Sequence, residues 1–147
     1  MRRGQTFPRT WLIIADAADR SALKRARRLP AGTGVLLLEP HAPQDVRKLR
    51  LRGLVVVREG RTTATRVHSV RELRRALLAR TPMIFLSPIN PTASHPEWRA
   101  LPRMRANALA RLGRRRLFAL GGMDARKFTR IQRLGFQGWA GISAFRT

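Results

Sequence analysis

The sequence contains no cysteine. That excludes a disulfide framework, a thiolate metal site and a cysteine nucleophile. Tyrosine is absent too. The three tryptophans and six phenylalanines are scattered, so no aromatic-rich RNA motif accompanies the charge. Long apolar runs are missing. The first, residues 11–15, is cut by Asp16 and is too short for a signal-peptide core or a membrane span. The cytoplasm is therefore the expected location, and no membrane partner is expected. Carboxylates are scarce, with 8 Asp and Glu against 31 Lys and Arg. Lysine is confined to Lys24, Lys48 and Lys127, so the positive charge is almost wholly arginine.

What is present is a chain of 147 residues, 44% hydrophobic, enough for one domain with a real core. The net charge of +23 admits two readings. Arginine spread along the chain fits solvated helix faces under a general compositional preference; it also fits a surface for a polyanion. The densest cluster is Arg114, Arg115 and Arg116.

Taken in order, residues 1–10 read as a basic tail and 11–147 as a single domain. Strands are predicted at 11–14, 34–39, 54–57, 64–68, 83–86, 117–120 and 138–144, from short apolar or β-branched runs. Helices are predicted at 20–29, 44–51, 70–79, 97–112 and 125–134. Ser69 with Glu72 forms a capping-box pattern for the third of these. In the fourth, Leu101, Met104, Ala108 and Leu112 recur near helical spacing, with Pro102 as an early irregularity. Continuous apolar strands alternating with amphipathic helices predict a parallel sheet with helices outside it. Ligands then bind at the C-terminal strand ends, which hold Asp16, Glu39, Glu59, His68, Ser87, Gly121, Gly122 and Ser143. One connection does not fit. Residues 58–63 are too few for the crossover helix that parallel neighbours require, so one βα unit is missing near the fourth strand.

Residues 116–128 (RLFALGGMDARKF) are the most informative stretch. An apolar strand runs into Gly121-Gly122, and Asp124 can cap the next helix. Paired glycines before a helix start let a backbone approach an anion closely. The same residues also fit a tight strand-to-helix turn with no ligand.

Three segments, VHSVREL (67–73), FLSPINPTASHP (85–96) and LFALGGM with GWAGISAF (117–123 and 138–145), resemble the thiamine phosphate synthase/TenI family. The resemblance implies a TIM-type (β/α)8 barrel, here incomplete at about seven strands. It implies a role in thiamine biosynthesis. The synthases join thiazole phosphate to an aminopyrimidine pyrophosphate with Mg²⁺ and release pyrophosphate, and this transferase activity is the expected one. The TenI branch includes thiazole tautomerases, which shift a proton and need no cofactor. Carried over, Gly121, Gly122 and Ser143 would bind the substrate phosphate. Ser87, Thr92 and Ser94 would lie on the substrate loop. His68 matches the tautomerase histidine, and imidazole is suited to acid–base work near neutral pH. His95 stands where synthases often have lysine, and His41 reads as a loop residue.

The chain also departs from that pattern. Where the synthases carry Arg and Lys for the pyrophosphate, it reads Leu36-Leu37-Leu38-Glu39-Pro40. Only Glu59 is placed to serve as a metal ligand, and it reads better as a loop charge. The third expectation is a degenerate barrel that binds a polyanion or a partner protein; nucleic acid and a homo-oligomer are the partners considered.

Overall fold

In a computed structural model, described over residues 6–91, 99–113 and 115–145, seven strands form one all-parallel sheet. The strands are β1 (Thr10–Ile14), β2 (Gly34–Leu37), β3 (Val55–Arg58), β4 (Ala64–Val67), β5 (Met83–Leu86), β6 (Leu117–Leu120) and β7 (Gly138–Gly141). Their order is β3-β2-β1-β7-β6-β5-β4. First and last strands pair, Trp11 opposite Ala140, which curls the sheet into a nearly closed barrel. The helices are α1 (Arg20–Arg27), α2 (Pro43–Leu51), α3 (Val70–Leu78), α4 (Arg103–Leu112) and α5 (Ala125–Ile131). Short helical turns follow at Gln132–Leu134 and Ser143–Phe145.

Period-two alternation along each strand separates two cores. Trp11, Ile13, Leu36, Ala64, Met83, Phe85, Phe118 and Ala140 fill the barrel interior. Trp11 meets Phe85 and Phe118 edge-on at 5.8 and 6.1 Å, and the two phenylalanines stack at 5.1 Å. Gly34 makes room for this centre, because a Cβ there would fall inside the Trp11 indole. The alternate residues, among them Leu12, Ile14, Val35 and Leu37, face outward under the helices. Phe7 packs against the interior cluster and Trp11 donates from Nε1 to the Pro8 carbonyl, so the segment before β1 is tied to the base of the barrel.

The barrel does not close between β3 and β4. Among the described residues no ladder joins them; a lone bridge between Gly60 and Ala64 spans the turn. A groove of about 770 Å³ opens beside β4 and α3, lined in part by Arg61, Arg66, Arg75 and Leu78. The five residues between the strands cannot form a crossover helix, and the slit lies where the short connection predicts it. α4 forms within the expected span, but the apolar repeat inside it does not mark its buried face. Its buried residues are Ala106, Leu109 and Ala110, while Met104 is 86% exposed and Leu112 54%.

Candidate functional site

Parallel strands place every strand C-terminus and every helix N-terminus at one end of the barrel, the upper end. There the interior core is topped by half-buried Leu38, Val57, Leu120 and Ile142. Each of these except Val57 lies two residues beyond an interior residue, so the alternation itself supplies an apolar floor.

β6 and β7 are neighbours, with Leu120 opposite Ala140. β6 ends in Gly121 and Gly122, both left-handed at φ +99° and +57°. Their lack of a side chain has a clear cause. A Cβ on Gly121 would lie 2.8 Å from the Pro88 Cα, and one on Gly122 would run into the Pro91 carbonyl oxygen. The Ile89 and Asn90 amides donate to Leu120 and Gly121 carbonyls, sealing this loop to the turn. β7 ends at Gly141, where a Cβ would meet the Met123 carbonyl oxygen at 3.2 Å, and Ser143 opens the short helical turn that follows. The two connections therefore touch. Asp124 caps α5 by accepting from the Lys127 amide, and the Lys127 ammonium donates to the Gly122 carbonyl at 3.0 Å. Sequence reasoning misses Lys127; its place three residues after the cap is the signal that points to it.

His68 follows β4. Its amide donates to Glu72 Oε2 at 2.8 Å, and its Nδ1 lies 3.3 Å from the same oxygen. Ser69 Oγ accepts from the Glu72 amide, the first half of the capping box, while the Glu72 carboxylate turns back to the His68 amide, one residue before the cap, and holds the histidine beside a carboxylate. Glu59 is engaged differently. Its two oxygens accept from Arg66 Nε and Nη2 at 2.8 and 3.2 Å, a bidentate pair. Among the described residues no three His, Cys, Asp or Glu side chains gather. These residues do not fit the Mg²⁺ that the synthase resemblance implies, because Glu59 is committed to arginine.

Glu39 accepts from the Ala17 amide and so braces the β1 and β2 ends. His41 stays on its loop, with Nδ1 2.9 Å from the Glu39 carbonyl. Ser87 is buried at the end of β5, 4% exposed, with its amide bonded to Val67. Thr92, Ser94 and His95 lie outside the described residues.

Fold and site define a class: a parallel (β/α) barrel of seven strands, slit on one side, with its candidate site at the strand C-termini. Within that class the chain is similar to thiamine phosphate pyrophosphorylase from Pyrococcus furiosus, with a TM-score of 0.71 and 14% identity over 93% of this chain and 86% of that one. It is also similar to a native KDPGal structure, with a TM-score of 0.55 and 13% identity over 97% of this chain and 86% of the other. At such identity the likeness is one of fold. No family model and no curated protein matches the sequence. No helix among the described residues is long and apolar enough to cross a membrane.

Proposed function

We propose that the upper end of the barrel binds thiazole phosphate, with the phosphate at the joined β6 and β7 connections, and that His68 moves a proton on the ring. The carrying observation is the contact between those two connections with an ammonium, Lys127, beside them. Barrels of this kind commonly bind phosphate after their last two strands. The half-buried floor of Leu38, Leu120 and Ile142 suits an apolar heterocycle. His68 and Glu72 form the base-and-orienter pair that proton transfer uses. The transferase reading, condensation with an aminopyrimidine pyrophosphate, draws on the fold likeness alone.

Calorimetric titration of the wild-type chain with the thiazole phosphate ester is the direct test. Saturable binding is expected. Lys127→Met should weaken it roughly tenfold, the scale of one charge-assisted hydrogen bond. His68→Asn should spare affinity and lower tautomerisation about 10²- to 10⁴-fold. Substituting Gly122 is a poor probe, since any side chain displaces the Pro91 loop. A wild-type chain that fails to bind the ester ends this reading. Binding followed by pyrophosphate release, when the pyrimidine substrate is added, would replace it with the transferase.

A further inference from the structure

The opposite, lower end of the barrel is charged in a way that the proposed site does not use. Seven of the eight carboxylates are described, and all seven sit on the upper side. Asp16, Glu39 and Glu59 follow strands; Asp19 and Asp124 cap helices; Asp45 and Glu72 lie in first turns. Each accepts a hydrogen bond from a backbone amide or an arginine. The lower end collects every helix exit, and each one delivers arginine. Arg28 follows α1, Arg52 follows α2, Arg80 follows α3, Arg115 follows α4 and Arg133 follows α5. All five are exposed.

A second observation comes from the backbone. Arg80 and Arg115 have φ of +56° and +67°, the only left-handed non-glycine residues described. Both stand just past a helix end, where glycine is the usual occupant because a Cβ is disfavoured there. Arginine at the end of a helix does complement its dipole. That effect does not call for a side chain at a position where glycine is the easier choice.

We propose that the lower end of the barrel binds the phosphodiester backbone of double-stranded nucleic acid. Guanidinium groups pair bidentately with phosphate, and the charge here is arginine rather than lysine. Single strands are bound largely by stacking on exposed aromatics. Among the described residues no aromatic side chain is exposed: Trp11, Phe128, Phe136 and Trp139 are buried and Phe7 is half-buried, so the contact is to the backbone. Recognition is by charge and is independent of base sequence.

The test compares two variants that remove equal charge. One neutralises the lower end: Arg28→Gln, Arg52→Gln, Arg80→Gly, Arg115→Gly and Arg133→Gln. The other neutralises exposed arginines in the upper halves of helices: Arg47, Arg71, Arg103, Arg105 and Arg126, each to Gln. Anisotropy of a labelled duplex of about 20 base pairs, DNA and RNA separately, is followed from about 50 to 200 mM salt. The wild-type chain should bind with a steep salt dependence. The lower-end variant should lose about tenfold in affinity or more, and its log–log salt slope should fall by up to about 4.5, near 0.9 for each phosphate no longer neutralised. The upper variant should keep most of both. Thermal melts should show Arg80→Gly and Arg115→Gly as stable as the parent or more so, which a purely dipolar role would not allow. Absence of wild-type duplex binding at low salt overturns the proposal. So does equal loss in both variants, or binding to phosphatidylserine vesicles without binding to duplex.

Discussion

Asp45 is the acid whose environment the structure changes most clearly. Its side chain is 8% exposed and lies 2.8 Å from the Arg20 guanidinium, which joins the start of α1 to the start of α2. The hydrogen bond from Arg20 holds the carboxyl below its ordinary range; burial pushes the other way, and the charges of Arg20, Lys48 and Arg27 add to the lowering. A depressed value means that the pair contributes stability above the unfolded carboxylate range, about pH 3.9, and that this contribution is lost as the pH falls through the folded value. Asp45→Asn should therefore melt lower than the parent at pH 7. The two should converge once the pH falls below the parent's depressed folded value, where its carboxyl is protonated. Parallel curves across that range would show that the pair contributes nothing.

At the scale of elements, β5 and β6 have the limits expected from their apolar runs, because an unbroken buried run leaves little choice of boundary. The paired glycines were legible as punctuation in the chain. Their partner was not: Pro88 and Pro91 come from some thirty residues earlier, and only folding sets them against the turn. The Glu59–Arg66 pair was hidden for the same reason, since it depends on how the turn at Gly60 folds back. α4 shows the limit of periodicity. Met104, Ala108 and Leu112 repeat every fourth residue as regularly as a core face would. The face that is buried, Ala106, Leu109 and Ala110, is mostly small and carries the weaker hydrophobic signal. Met104→Lys should consequently shift stability by no more than about 0.5 kcal/mol, the surface range. Leu109→Ala, at 4% exposure, should cost about 2–5 kcal/mol. Chemical denaturation of both checks the assignment, and a reversed order would make the Met104 side of α4 the buried one.

For the molecule as a whole, the slit between β3 and β4 makes the seven strands unequal. β7 stands at the middle of the order and β3 and β4 at its limits. The Val55 and Glu59 amides donate to Thr33 and Leu37 on the β2 side. Strand alternation turns the Val56 and Arg58 amides toward the slit. Native-state hydrogen exchange should be slowest in β1, β6 and β7 and faster in β3 and β4, with Val56 and Arg58 ahead of Val55 and Val57. Uniform protection around the ring would mean that the gap is sealed in solution.

A hooped cask has no first stave, and nothing can be lifted out of it singly. This one has two loose staves. Dismantling could begin at either and leave the Trp11–Phe85–Phe118 centre standing until late. The connection at the gap is also the place where a lengthened chain could add another stave and close the ring without disturbing the rest.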